Sequence, residues 1–162
     1  MKVVSKQKNS KTCFICGMYN PAGVRAHFYN MEDGSVMTKF RFRQDHQSYP
    51  RRVHGGIISA MLDELACRAY WAKDDSVLAV TMSMEVKFRK PVPYDEDLIG
   101  KGVVYSDSRK FFKSKVEIRD KAGTLLANGD VVYIKLPADK IATESEIEKD
   151  MLYEDDNPVT EI

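Results

Sequence analysis

The sequence predicts an α+β fold in which an antiparallel sheet wraps one long buried helix. Three observations carry that prediction. Residues 57–71 contain no Gly or Pro and are apolar nearly all round, the pattern of a helix without a solvent face. Segments on both sides alternate apolar and polar residues with a period of two, as half-buried strands do. The strand-like segments run together after the helix and do not alternate with further helices, which excludes a repeating βαβ layout and its parallel sheet.

In chain order, residues 1–12 are polar and basic and read as a loose leader. Asn20-Pro21-Ala22-Gly23 is a turn signal, after which 24–30 can form a short strand. Asp33-Gly34 marks a hairpin. In 35–43, Val36, Thr38, Phe40 and Phe42 share one face and Met37, Lys39, Arg41 and Arg43 the other. Residues 44–53 are polar and contain a Pro, so they read as a loop. The helix over 57–71 ends at Lys73-Asp74-Asp75. In the next strand, 76–89, Met82, Met84, Val86 and Phe88 face one way and Thr81, Ser83, Glu85 and Lys87 the other, and Pro91 and Pro93 stop it. Segments 98–105, 111–119 and, after the Lys121-Ala122-Gly123 turn, 124–136 complete the sheet. The folded domain is expected over 13–136. Residues 137–162 form an acidic tail, where Thr143-x-x-Glu146 is a capping box for a short helix and residues after Tyr153 are expected to be mobile.

A chain of 162 residues suits one domain, and 30% charged residues exclude a membrane-embedded class. No run is apolar enough to span a bilayer and the N-terminus has no signal-peptide core, so a cytoplasmic protein is expected. The net charge of +1 hides an asymmetry: residues 138–162 hold nine acids against Lys140 and Lys149, a net −7, which leaves +8 on the remainder. A basic body suits an anionic ligand, though on charge alone an ordinary solvated surface is the better account. Three cysteines fit a reducing compartment. Cys13-x-x-Cys16 has no second pair, and only His27 and Cys67 offer themselves as further ligands, so no metal is expected. The pair reads as a turn with half-buried thiols.

The helix carries four residues that do not belong in an apolar cylinder: Ser59, Asp63, Glu64 and Arg68. Glu64 and Arg68 lie one turn apart with the acid first, the favourable order for an ion pair, and would mark the helix's solvated edge. Asp63 has no basic residue at that spacing. A carboxylate inside an apolar helix is costly unless satisfied, and such groups serve enzymes as bases or nucleophiles. A satisfied core acid, or one paired across a subunit interface, is the structural alternative. Directly before the helix, His54-Gly55-Gly56 lets a ligand approach backbone N–H groups at the positive end of the helix dipole, where an oxyanion is favoured. A tight turn into the helix would use the same glycines.

Taken together, His54-Gly55-Gly56-Ile57-Ile58-Ser59-Ala60-Met61-Leu62-Asp63-Glu64, the upstream Cys13-Phe14-Ile15-Cys16-Gly17 with Asn20-Pro21 and Gly23, and the downstream Val86-Lys87-Phe88-Arg89-Lys90-Pro91-Val92 resemble the hotdog-fold thioesterases, in the branch of phenylacetate-type acyl-CoA thioesterases. The resemblance covers about residues 13 to 134. It implies a hotdog fold, hydrolysis of acyl-CoA without a cofactor, and a homodimer or dimer of dimers with active sites between subunits. By position, Gly55 would polarise the thioester carbonyl through its N–H, with His54 shaping the turn and Gly56 beside it. Asp63 would act as general base on water or as nucleophile. Thr81 or Ser83 would orient the water. Arg89, Lys90 and Lys110 are candidates for the CoA phosphates. Relatives place the water with an amide side chain upstream of the His; here Gln47 or His46 would serve.

Two other readings compete. A hotdog hydratase would need a His after Asn20-Pro21, where Ala22-Gly23 stands. A non-catalytic acyl-CoA-binding protein would keep Gly55 but have no use for Asp63. No basic recognition helix is present, which argues against a nucleic-acid partner.

Overall fold

A computed structural model describes residues 1–151 and 159–162. A 7-stranded sheet, all of its pairings antiparallel, runs in the order β1-β2-β3-β5-β6-β7-β4. The strands are β1 (Val3–Lys6), β2 (Tyr29–Met31), β3 (Val36–Phe40), β4 (Leu78–Phe88), β5 (Leu98–Asp107), β6 (Phe111–Asp120) and β7 (Leu125–Leu136). The helix α1 (Gly55–Trp71) lies against β3 to β7. Beyond Gly56 no residue of α1 is exposed, and Met61, Leu62, Leu65 and Ala66 are fully buried. The helix wrapped by a sheet is thus as the apolar pattern predicts. β5 lets it approach closely: a Cβ on Gly102 would stand 2.7 Å from the Leu65 carbonyl oxygen.

The N-terminal residues differ from a loose leader. β1 pairs with β2, and Gln7, Asn9 and Ser10 are buried. The Gln7 amide donates to the Arg68 carbonyl and to Asn30, and Asn9 donates to the carbonyls of Cys16 and Ala26. A polar composition misleads here because these side chains satisfy buried backbone groups. The strand expected over 24–30 shrinks to Tyr29–Met31, and a third strand precedes the helix where two were expected.

The capping box at Thr143 is present: its hydroxyl accepts from the Glu146 N–H, and Glu146 accepts from the Thr143 N–H at 2.9 Å. It opens α2 (Glu144–Glu146). Of the tail expected to move, residues 154–158 lie outside the described residues. Thr160 and Ile162 accept from the Val3 and Met1 nitrogens, and Glu161 bridges Lys2, so the C-terminus covers the β1 edge of the sheet.

Candidate active site

Asp63 is half-buried on the side of α1 that faces β4 and β7. Its Oδ1 accepts from the Thr81 hydroxyl at 2.8 Å and from the Tyr133 hydroxyl at 2.6 Å. The same phenol lies 2.6 Å from the Asp63 carbonyl oxygen, so its single proton is shared between the two acceptors. Thr81 and Tyr133 are opposed residues of β4 and β7. Burial first, and then the neighbouring Cys67 and Asp63, push the Tyr133 phenol well above its ordinary range, so it donates at any physiological pH. Among the described residues nothing donates to Oδ2. One carboxylate oxygen is therefore fixed and the other is open for chemistry.

The β4 pairing explains why Thr81 reaches Asp63. Strict alternation sets Thr81 and Ser83 together, opposite the methionines. A β-bulge at Met82 breaks the count: Thr81 pairs with Tyr133, but Ser83 pairs with Val132 and Met84 with Val131. Tyr133 and Val131 are buried against the helix, so Thr81 shares the inner face with Met84, and Ser83 is turned to the outer face. Bulges re-aim side chains in this way and cluster next to functional sites.

At the other end of α1, His54 is the N-cap, and its Nδ1 accepts from the Gly56 N–H at 2.9 Å. Ile57 and Ile58 donate to the His54 carbonyl. The Gly55 N–H meets no protein acceptor among the described residues. His54 thus takes up the Gly56 N–H and leaves that of Gly55 for a ligand. Gly55 borders a cleft of about 340 Å³ lined also by Tyr49, Arg52, Phe88, Arg89 and Lys90. Arg89 and Lys90 are brought to this mouth as expected, and Arg52 joins them, unnoticed in the sequence because it sits in a polar loop. Lys110 is elsewhere: its carbonyl accepts from Lys135 while Arg89 donates to Leu126, a separation of roughly 30 Å along β7. Within one chain, at 1.5 Å per residue, Gly55 and Asp63 stand about 12 Å apart along the helix.

His46 is not a water-placing group. It is 1% exposed, with Nδ1 accepting from the Arg43 N–H and Nε2 donating to the Ala22 carbonyl, so both ring nitrogens are consumed in holding the loop. Gln47 is exposed in that loop, and its backbone bridges Val53. Ser59 donates back to the Gly55 carbonyl at 2.8 Å, a local helix bond. Glu64 and Arg68 do pair, at 2.8 Å, but not at a solvated edge: Arg68 is 4% exposed, donates to the Lys8 carbonyl and to Cys16 Sγ, and lies over the Phe28 and Trp71 rings. The N-terminal segment covers it. Tyr133 is the site residue that sequence reasoning missed; its signal was an aromatic hydroxyl on the inner face of β7, which must find a partner.

A family model described as "Thioesterase superfamily" matches residues 52–127. A search of curated proteins returns no significant match. Among solved structures, the chain is similar to a thioesterase superfamily protein at a TM-score of 0.69 and 21% identity, covering 75% of this chain and 59% of that one. It is similar to a hypothetical thioesterase of Streptococcus pneumoniae crystallised with coenzyme A (TM-score 0.62, 18% identity, 68% and 85% of the two chains). It is also similar to the phenylacetic acid degradation protein of Thermus thermophilus (TM-score 0.56, 22% identity, 64% and 86%). This chain therefore spans about three fifths of the first of these structures and most of the other two. The matched segment contains the helix and strands on its C-terminal side, and the structural likenesses establish the fold: the chain has the hotdog fold.

Proposed function

We propose that the protein hydrolyses an acyl-CoA thioester between two copies of itself, with Asp63 of one chain working opposite Gly55 of the other. The observation that carries this reading is the asymmetry of the Asp63 carboxylate: Oδ1 is held by Thr81 and Tyr133, while Oδ2 has no donor among the described residues. A purely structural acid would have both oxygens satisfied. Oδ2 takes a proton from water as the water attacks the carbonyl, or attacks the carbonyl itself to form an acyl–Asp63 anhydride that water then cleaves to the free acid; in either case the Gly55 N–H stabilises the oxyanion and the CoA thiolate leaves. His54 keeps the Gly55 N–H aimed, and Gly56 contributes an unhindered approach. Gln47, exposed on the neighbouring loop, is assigned to water placement. Arg52, Arg89 and Lys90 form a cationic rim for the CoA phosphates. The coenzyme A held by the S. pneumoniae relative favours that handle.

The separation of about 12 Å along the helix requires a second chain, and the sheet offers a place for it. The β1 edge is covered by the C-terminus, whereas among the described residues no strand pairs beyond β4, an 11-residue edge strand on which Val80, Met82 and Phe88 are exposed. A long apolar edge of this kind is a pairing surface. No helix of the described residues is long and apolar enough to cross a membrane.

The test is hydrolysis of short, long and aromatic acyl-CoAs by wild type and Asp63→Ala, with mass measured in solution. Asp63→Ala should lose at least ~100-fold in kcat/KM and stay folded, and the wild type should be a dimer or larger. A variant as fast as wild type, or an active monomer, sinks the mechanism. A wild type that binds acyl-CoA and cleaves none belongs to the non-catalytic reading instead.

A further inference from the structure

Against α1, the thiols of Cys13 and Cys16 converge on the Glu64 carboxylate, the three ligand atoms lying within 4.8 Å of one another. The chain Cys13-Phe14-Ile15-Cys16-Gly17 folds into a tight turn closed by the Gly17 N–H on the Cys13 carbonyl at 2.9 Å. A Cβ at position 17 would sit 2.2 Å from that carbonyl oxygen, so only glycine lets the turn close. The turn points the N–H groups of Ile15 and Cys16 at the Cys13 sulfur, each at 3.4 Å. Arg68 donates to the Cys16 sulfur at 3.0 Å and, through Nε, holds Glu64 Oε1, leaving Oε2 to face Cys13 at 3.8 Å. Each sulfur is thus supplied with the donors that a thiolate needs.

The geometry points to a site for a thiophilic divalent cation, Zn²⁺ in the first instance, ligated by Cys13, Cys16 and Glu64. A tetrahedral zinc with Zn–S of about 2.3 Å and Zn–O of about 2.0–2.2 Å holds its ligand atoms roughly 3.5–3.8 Å apart. Rotation of the two thiols and Oε2 suffices to close the present arrangement to that size. The charges balance: two thiolates and a carboxylate oppose the ion and the Arg68 guanidinium, so the occupied cluster is neutral, as burial demands. Both thiol protons are released on binding. The fourth position opens into a cleft of about 370 Å³ that Cys67 also lines. The sequence expectation of no metal counted His27 and Cys67 as the available additions; His27 hydrogen-bonds Asn9 instead, and the fold supplies Glu64. The bound ion would fasten the N-terminal segment to α1 beside Asp63.

The reduced, full-length protein should be titrated with Co²⁺ and then with Zn²⁺. One equivalent of Co²⁺ should produce a thiolate-to-cobalt charge-transfer band with tetrahedral d–d absorption, and Zn²⁺ should abolish both. Cys13→Ser and Cys16→Ser should lose the band, Glu64→Gln should weaken binding by at least ~10-fold, and Cys67→Ser should retain it. Circular dichroism establishes that each variant is folded. The wild-type titration stands without any variant: a folded, reduced wild type that gives no such band overturns the site. A band that survives Cys13→Ser, or that is lost in Cys67→Ser alone, overturns the assignment of ligands. No arm of this test reads hydrolysis, so it stands or falls apart from the thioesterase reading.

Discussion

Tyr133 and Thr81 divide one task. Each donates a hydroxyl proton to Asp63 Oδ1, and together they set which way the carboxylate plane turns. Thr81 is open to solvent while Tyr133 is buried, so the phenol is the better-defended donor. A hydrogen bond to a charged group contributes about 1.5–3 kcal/mol. Tyr133→Phe keeps the ring packed on Phe112 (centroids 4.9 Å apart) and removes the hydroxyl alone. It should lower kcat by roughly 10- to 100-fold with KM little changed. An effect confined to KM would mean that the hydroxyl binds substrate and does not orient Asp63. At this scale the sequence was only half legible. Asp63 and Gly55 announce themselves, because a lone acid in an apolar helix and a glycine pair at its start are local anomalies. Tyr133 and the Cys13, Cys16 and Glu64 cluster do not, because their partners are remote in sequence. His46 and Ser83 misled for the same reason: nothing local says that both nitrogens of a histidine are already bonded or that a strand has changed phase.

Among the elements, α1 and β5 fit each other through missing side chains. A Cβ at position 102 would stand 2.7 Å from the Leu65 carbonyl oxygen, 3.2 Å from Val36 and 3.3 Å from Ala69. The nearest of these is helix backbone and cannot rotate away. Gly102→Ala should therefore cost about 1–3 kcal/mol, read as a lower urea midpoint with an unchanged m-value. A neutral outcome would show that the helix shifts without loss. The helix itself was legible as an apolar run lacking breakers, and the strands as alternation. β1 was not, since a four-residue edge strand is too short to carry a periodic signal.

The whole molecule is held on its polar side by carboxylates clasped by cations. Lys101 and then Ser35 hold Asp33 down from an ordinary 3.8 to about 2. Arg41 and then Lys121 hold Asp97 lower still, and Lys135 with Lys73 lowers Asp107 below its ordinary range. A carboxylate whose folded pKa is depressed stabilises above its unfolded value and loses that contribution as pH falls through the folded one. The melting temperature should hence be flat above about pH 5 and fall between about pH 4 and 2. Asp33→Asn should make that fall shallower. A melting temperature unchanged down to pH 2 would contradict the assignment. These pairs join β3, β5, β6 and β7 and the turns between them, so acid loosens the sheet as a unit.

The extra residue at Met82 makes β4 tolerant of two kinds of genetic change. Its side chain is 63% exposed, so exchanging it alters little around Asp63. Losing the position altogether should also be tolerated, because side chains along a strand alternate. Deletion would restore regular pairing and leave Thr81 opposite Tyr133 and Met84 opposite Val131, so Thr81 still reaches Asp63 and Met84 still faces the helix. The pairing of Thr81 with Tyr133 and of Met84 with Val131, more than the count of residues between them, is what inheritance must preserve here.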